Sequence, residues 1–234
     1  RLGWECRAAR WETDVTVTRD RELVLFHDQT LDRCTNVKRC FPGRTDTRVA
    51  AFSLSELQQL EAGSFFSRTD PFGQISTGRV DEKDLAVYAR EPIPTLALGL
   101  CLVAELDWQV NLELKCFDPA LPVPELTLEA VRRSGLDPAQ VIFSSFNHDW
   151  LRQLISLAPE FACQALVGDG DTGPIDFGRL EFGAYNAHAG RITPAQIRML
   201  REQGRQINLF TVNEPAQFHY FESLGVDGIF TDFP

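Results

Sequence analysis

Four charged side chains occupy alternate positions in two short β-like segments, and their types and spacing suit metal chemistry. Glu12 and Asp14 lie two residues apart in the first segment, and Glu113 and Lys115 lie two residues apart in the second. Alternate side chains of a strand point to the same face, so the members of each pair share a face. Three carboxylates turned toward one space repel one another unless a cation lies among them. Because Mg²⁺ and Ca²⁺ prefer oxygen ligands, we predict that Glu12, Asp14 and Glu113 bind one divalent cation, Mg²⁺ or Ca²⁺.

A histidine and an aspartate, His27 and Asp28, directly follow a third β-like segment. Histidine titrates near neutral pH and is the residue most often used in general acid–base catalysis. Together, His27 and the predicted cation site indicate metal-assisted chemistry on an anionic group. Structural interpretations stay open: His27 could be a capping or core histidine bonded to Asp28, and Glu12 could face solvent. Lys115 could simply neutralise the carboxylates.

Composition limits the classes of protein and partner. A chain of 234 residues with 44% hydrophobic residues can bury the core of one α/β barrel. Its net charge of −10 argues against nucleic acid and anionic membranes as partners, but a bound cation would still permit a small phosphodiester substrate. We expect no transmembrane segment, since no apolar stretch approaches the roughly 20 residues that a span needs. The compartment, cytoplasmic or periplasmic and otherwise extracytoplasmic, stays open, as does the oligomeric state.

Strand-like and helix-like segments alternate along the chain. The predicted strands are Trp11–Thr18, Glu22–Phe26, Val110–Lys115, Val141–Ser145, Ala162–Val167, Gly183–Ala187, Gln206–Val212 and Gly228–Phe230. The predicted helices are Leu54–Leu60, Thr95–Glu105, Pro124–Ser134, Asp149–Leu157, Pro194–Gln203 and Pro215–Leu224. Ser53 and Thr193 are suitable N-caps, and Glu56 would complete a capping box with Ser53. Gly63–Arg90 is predicted to be irregular because it is rich in Gly, Asp, Ser and Phe.

This alternation predicts parallel βαβ units in a single α/β domain, residues 1–234. If Glu22–Phe26 is a hairpin excursion, the other strands number seven rather than eight. We therefore expect a (β/α)8 TIM-type barrel whose first strand would lie upstream of Arg1, so that the chain is N-terminally truncated. A small insertion follows the second strand, at about residues 28–92.

Seven motifs, in order, resemble those of the glycerophosphodiester phosphodiesterase family between about Ala9 and Pro234. They are Glu12-Thr-Asp14 with Thr18-Arg-Asp20, Leu25-Phe-His27-Asp28 with Leu31-Asp-Arg33, Ile93-Pro-Thr-Leu96, Leu112-Glu113-Leu-Lys115, Ser144-Ser-Phe146, Phe210-Thr-Val-Asn213, and Gly225-Val-Asp-Gly-Ile229 with Thr231-Asp232. Each motif is weak alone, but their common order makes the resemblance specific. It implies a metal-dependent hydrolase that converts glycerophosphodiesters to glycerol 3-phosphate and an alcohol, with a place in lipid and glycerol metabolism.

The resemblance also assigns roles to single residues. Glu12, Asp14 and Glu113 match the family's metal ligands, and His27 matches one of its two catalytic histidines. A second set would bind substrate. It consists of Lys115, which matches a lysine near the phosphate, and Phe210, which stands where many relatives carry Trp.

Departures from the family pattern leave alternatives open. In the family, the second histidine belongs to an H-R-G motif that would precede the point where this sequence begins, and the E-N-T motif is absent here. One alternative is therefore a truncated remnant that binds metal or a phosphoryl ligand without turnover. A sphingomyelinase D-like phospholipase on the same barrel is another, with Phe65, Phe66 and Phe72 as its apolar approach surface. Arg21 replaces a usual turn glycine.

The six cysteines lack the spacing of a zinc site. They are Cys6, Cys34, Cys40, Cys101, Cys116 and Cys163. Cys34 and Cys40 could close a small loop by a disulfide or remain free thiols, and the sequence does not decide between the two.

Overall fold

One eight-stranded sheet forms the framework, in the strand order β2-β1-β3-β4-β5-β6-β7-β8. The computed structural model describes residues 2–115, 121–170 and 173–234. Its strands are β1 Trp11–Val17, β2 Leu23–Leu25, β3 Val110–Leu114, β4 Val141–Ser145, β5 Ala162–Val167, β6 Ala184–His188, β7 Gln206–Phe210 and β8 Gly228–Ile229. Strands β3 to β8 pair in parallel, whereas β2 pairs antiparallel with β1. The expected hairpin excursion and the seven other strands are thereby confirmed.

Ten α-helices are assigned within the described residues. They are α1 Leu2–Glu5, α2 Val37–Cys40, α3 Leu54–Leu57, α4 Ser64–Thr69, α5 Glu82–Tyr88, α6 Leu96–Leu106, α7 Val123–Ser134, α8 His148–Leu157, α9 Pro194–Glu202 and α10 Pro215–Leu224. From α6 onward, helices follow strands in the βαβ rhythm, with no helix between β5 and β6 in the part of the chain that the structure describes. Because the carboxyl ends of parallel strands meet at one edge, this topology gathers the residues that follow β3, β4, β6 and β7.

Capping residues explain where several helices begin. The Ser53 hydroxyl accepts a hydrogen bond from the Glu56 backbone N–H at the start of α3, and the Glu56 carboxylate accepts one from the Ser53 N–H. Thr193 and Gln196 form the same reciprocal capping box at α9, with Pro194 at the first helical position. These boxes satisfy N–H groups that have no partner within the helix. The predicted caps are confirmed.

The described chain divides into two compact units, each with its own hydrophobic core. The first unit comprises Arg1–Glu12, Val103–Leu114 and Gly135–Pro234, and the second comprises Thr13–Leu102 and Lys115–Ser134. The first core includes the fully buried side chains of Tyr185, Ile197 and Leu209. The second core includes Phe52, Leu31 and Leu57, which lie in the predicted insertion. The prediction of a single domain over residues 1–234 stays a prediction.

The insertion holds more regular structure than its composition suggested. The prediction of an irregular Gly63–Arg90 was wrong, because α4 and α5 lie within it. Asp81 caps α5 by accepting a hydrogen bond from the Asp84 backbone N–H at 2.8 Å. A short helix with a side-chain cap needs no long apolar periodicity, so it leaves little trace in the sequence. Conversely, the helix predicted for Leu54–Leu60 ends at Leu57.

Candidate functional site

Three carboxylates on two strands come together as the sequence predicted. One carboxylate oxygen from each of Glu12, Asp14 and Glu113 lies within 4.8 Å of the other two. Each of the three residues has a buried carboxylate oxygen, and Glu113 as a whole is only 9% exposed. Oxygen ligands that lie about 2.0–2.6 Å from a shared Mg²⁺ or Ca²⁺ are at most about 4–5 Å apart. The donor set and its spacing therefore fit one hard divalent cation.

Lys115 lies beside this cluster as an ion-pair partner. Its Nζ is 2.7 Å from Asp14 Oδ1, and both side chains are largely buried, with 18% and 14% exposure. The Lys115 backbone N–H also donates to the Val15 carbonyl at 2.9 Å, which fixes the chain just beyond β3. The lysine offsets one negative charge, so the three carboxylates and the lysine together carry a formal charge of −2. This residual charge attracts a cation to the cluster.

His27 lies two residues beyond the end of β2 and is oriented by Asp28. Its Nδ1 is 2.7 Å from Asp28 Oδ1, while 66% of the imidazole side chain is exposed to solvent. The preceding residue, Phe26, donates its backbone N–H to the Asp14 carbonyl at 3.1 Å. His27 therefore directly follows a residue whose backbone is hydrogen-bonded to Asp14 on β1. A carboxylate at Nδ1 keeps the proton on that nitrogen and leaves Nε2 free to accept one.

Arg33 completes this arrangement, and reasoning from single residues missed its role. Its Nε and Nη2 donate to Asp28 Oδ2 and Oδ1 at 2.6 and 2.7 Å, a bidentate pair. This pair with Arg33 holds the pKa of Asp28 below its ordinary value of 3.8, with the hydrogen bond from His27 acting in the same direction. The Arg33 guanidinium also lies 5.6 Å from the Phe65 ring centroid. The only signal for Arg33 in the sequence was its place in a family-like motif.

An aromatic group occupies the carboxyl ends of β4, β6 and β7. The Phe210 ring packs edge-on against Phe146 at 6.0 Å and against His188 at 5.7 Å between centroids. Phe146 directly follows β4, whereas His188 and Phe210 are the last residues of β6 and β7. Phe210 was predicted to bind substrate, which stays a prediction, and it is the last residue of a strand that was predicted to run on to Val212. His188 was not predicted, although its position at a strand end was a usable signal.

Other polar residues that could have served the site have structural partners. His148 Nε2 is 2.9 Å from the Leu166 carbonyl oxygen and forms a hydrogen bond with it. The Arg191 guanidinium donates to the backbone carbonyls of Gly173 and Asp169. Arg191 therefore braces the loop that follows β5.

The apolar surface considered for a lipid substrate is largely packed. Phe65 packs against the core of the second unit and against Arg33, and Phe66 makes an edge contact with Tyr88 at 6.0 Å. Phe72 is 46% exposed. Among the described helices, none combines the length and apolar character that crossing a membrane requires.

None of the predicted site residues is a cysteine. Cys34 and Cys40 are free thiols, so no disulfide closes the loop between them. Cys34 is buried with its sulfur 4.0 Å from Asp28 Oδ2, and burial raises the pKa of its thiol. Cys116 lies outside the described residues.

Comparison with known proteins decides the family. Residues 9–234 match the model of the Glycerophosphoryl diester phosphodiesterase family. This chain belongs to that family. A protein of Caldanaerobacter subterraneus subsp. tengcongensis named glycerophosphodiester phosphodiesterase is 31% identical over 226 residues, which cover 95% of this chain and 82% of the relative. A Bacillus subtilis protein of the same name is 27% identical, over 95% of this chain and 73% of the relative.

Solved structures agree on the fold. A phosphodiesterase of Oleispira antarctica, solved in complex with the product sn-glycerol-3-phosphate, superimposes with a TM-score of 0.77 at 24% identity. The match covers 98% of this chain and 83% of that one. The chain therefore has the α/β TIM-type barrel fold of this family of phosphodiester hydrolases, as the sequence predicted.

Proposed function

We propose that this protein hydrolyses glycerophosphodiesters to glycerol 3-phosphate and an alcohol, with Mg²⁺ or Ca²⁺ held by Glu12, Asp14 and Glu113. The observation that carries the proposal is the convergence of these three carboxylates within 4.8 Å, with Lys115 paired to one of them. Membership in the family sets the reaction class. The names of the two relatives and the glycerol 3-phosphate bound to the Oleispira protein support the choice of substrate.

The phosphate would bind where opposite charge is available. When bound, the cation would supply Lewis-acid polarisation of a phosphoryl oxygen. The Lys115 ammonium has three donors, and its contact with Asp14 at 2.7 Å uses one of them. The ammonium group would also attract a phosphoryl oxygen held by the neighbouring cation. Lys115 is therefore both the neutralising partner that the sequence left possible and a candidate phosphate ligand.

His27 would move the proton. With the Nδ1–H donating a hydrogen bond to Asp28, Nε2 of the neutral ring is the basic nitrogen and can take a proton from the attacking water. The exposed ring leaves that nitrogen accessible to substrate and water. Asp28 in turn remains anionic and fixed because Arg33 binds both of its oxygens. The imidazolium that forms is then stabilised by the adjacent carboxylate.

Product analysis tests this proposal directly. The protein would be treated with EDTA, then incubated with glycerophosphocholine in the absence and presence of Mg²⁺ or Ca²⁺. We expect release of glycerol 3-phosphate and choline only with the cation. Glu113→Gln should lower kcat/KM by more than the roughly 10–100-fold that loss of an outer-shell partner costs a metal site. Glu222→Gln, an exposed carboxylate beside His219 on α10, is the matched control and should keep activity.

Three results would contradict the proposal. One is the absence of hydrolysis with either cation, which would favour a remnant that binds without turnover. The second is full activity of Glu113→Gln. The third is cleavage of lysophosphatidylcholine in strong preference to glycerophosphocholine, which would favour the phospholipase alternative.

A further inference from the structure

His188 presents a fixed hydrogen-bond donor that the proposed mechanism does not use. The Gly190 backbone N–H donates to His188 Nδ1 at 3.1 Å. Because Nδ1 acts as the acceptor, the neutral ring carries its proton on Nε2. His188 is an exposed residue at the end of β6, so this N–H is available to a ligand.

The surrounding residues hold the imidazole in one place. Its ring packs edge-on against Phe210, with 5.7 Å between centroids and an interplanar angle of 78°. A Cβ at Gly168 would come within 2.9 Å of His188 Cβ, and a Cβ at Gly190 would come within 3.2 Å of His188 Cε1. Glycine at these two positions therefore leaves the space that the histidine fills. An oriented donor beside an aromatic ring is a typical arrangement for binding a polyol, whose carbons pack on the ring while a hydroxyl bonds to the donor.

The place of His188 in the sheet separates it from the phosphate. Strand β6 lies three strands from β3 in the sheet order, and β7 lies four strands away. With a strand spacing of about 4.8 Å, His188 is roughly 14 Å from the Glu113 strand, measured along the sheet. A phosphate at Glu113 would leave the organic groups of the diester to extend toward the ends of β6 and β7.

We propose that His188 is a specificity-determining residue that donates a hydrogen bond from Nε2 to a hydroxyl oxygen of a polyol group in the substrate, with Phe210 packing against the carbons of that group. The proposal rests on the proposed function. The polyol could be the glycerol half or a hydroxylated departing alcohol, and suitable substrates distinguish the two.

Two variants of His188 isolate the donor. His188→Asn can still accept the Gly190 N–H through its amide oxygen but has no group at the position of Nε2. His188→Gln can place an amide N–H near that position. His219→Phe is the control, because His219 has a 77% exposed side chain on α10 and pairs with Glu222. Each variant would be assayed with glycerophosphocholine, glycerophosphoinositol and bis(p-nitrophenyl) phosphate, which has no hydroxyl group, and its melting temperature would be recorded.

The quantity to compare is the ratio of kcat/KM values for two substrates, one with a polyol group and one without. For His188→Asn, kcat/KM for a polyol diester relative to bis(p-nitrophenyl) phosphate should fall roughly 3- to 10-fold, the usual worth of one neutral hydrogen bond. Most of the change should lie in KM, and His188→Gln should recover part of it. A fall for both glycerol diesters indicates the glycerol half, whereas a fall for glycerophosphoinositol alone indicates the departing alcohol.

Other outcomes overturn the inference. An unchanged ratio in His188→Asn, or an equal fall for all three substrates, would leave His188 with a structural role only. These results would not affect the proposed function, since the wild-type protein would still release glycerol 3-phosphate. If the wild-type protein cleaves none of the glycerol diesters, the proposed function and this inference fail together.

Discussion

Replacing Asp28 with asparagine tests how the protein prepares His27 for proton transfer. The two side chains have nearly the same shape, but the single amide oxygen cannot accept hydrogen bonds from His27 Nδ1 and from both Arg33 donors at once. In the wild-type protein those three contacts span 2.6 to 2.7 Å. If the amide nitrogen of the introduced asparagine faces the ring, Nδ1 becomes an acceptor and the proton moves to Nε2. The ring then presents the wrong tautomer to the substrate.

The expected loss of activity follows from the role of the ring. Positioned proton transfer contributes about 10²–10⁴-fold to a rate, so Asp28→Asn should lower kcat within that range and change KM much less. The stability cost is small, because the Arg33 side chain is 58% exposed and solvent screens the pair. We expect a loss of about 1 kcal/mol in the free energy of unfolding at pH 7.

The pH dependence of that stability difference is a second readout. The folded state lowers the pKa of Asp28 through its pair with Arg33, so the contribution is present above the ordinary pKa of 3.8 that the unfolded chain has. It is lost as the pH falls through the still lower folded pKa, because the carboxylate is then protonated in both states. The difference between wild type and Asp28→Asn should therefore be constant near neutral pH and shrink only below about pH 4.

Asp32→Asn is the matched control for this experiment. Asp32 lies in the same segment and its pKa is also lowered, chiefly by a hydrogen bond from Thr47, yet its described contacts do not include His27. Steady-state kinetics with glycerophosphocholine and chemical unfolding would be measured for both variants. Wild-type kcat in Asp28→Asn, or an equal loss of kcat in Asp32→Asn, would refute the proposed orientation of His27.

Two further predictions concern backbone strain and thiol reactivity. Arg21 has φ +64°, in the left-handed region, so Arg21→Gly should raise the free energy of unfolding by about 0.5–1 kcal/mol, whereas Arg21→Ala should not, as thermal melts would show. Burial raises the pKa of the Cys163 thiol to about 11, so iodoacetamide at pH 8 should label exposed Cys101 at least about tenfold faster, as mass spectrometry would measure. Equal labelling rates would contradict the burial of Cys163.

The sequence predicted the parts of the fold that depend on local patterns. The strands Val141–Ser145 and Ala162–Val167 have the predicted bounds, and the first begins with the apolar run Val141–Phe143, which is typical of a strand covered on both faces. The N-caps Ser53 and Thr193, and the box that Glu56 completes with Ser53, were readable because a cap acts on a residue only three positions along the chain. The carboxylate cluster was predictable for the same kind of reason, since alternate residues of a strand share a face.

Contacts between distant segments could not be predicted in this way. The function of Arg33 depends on a loop that brings its guanidinium onto Asp28, and no periodicity encodes that approach. The role proposed for His188 depends on its contact with Phe210, which lies 22 residues later on the neighbouring strand. The two residues come together only because β6 and β7 pair in a register that sets them side by side. The partners of Arg191 are of the same kind, since the carbonyl oxygens of Gly173 and Asp169 lie in a loop of irregular sequence.

The most direct test of the central claim is to locate the metal. Crystals of the protein soaked in Mn²⁺, which binds the same oxygen ligands as Mg²⁺ and Ca²⁺ and scatters anomalously, would give the ion's position. We predict one anomalous peak about 2.0–2.6 Å from an oxygen of each of Glu12, Asp14 and Glu113, and no peak there in Glu113→Gln. A peak elsewhere, or no peak in crystals of a protein that Mn²⁺ activates, would show that the three carboxylates are not the metal site.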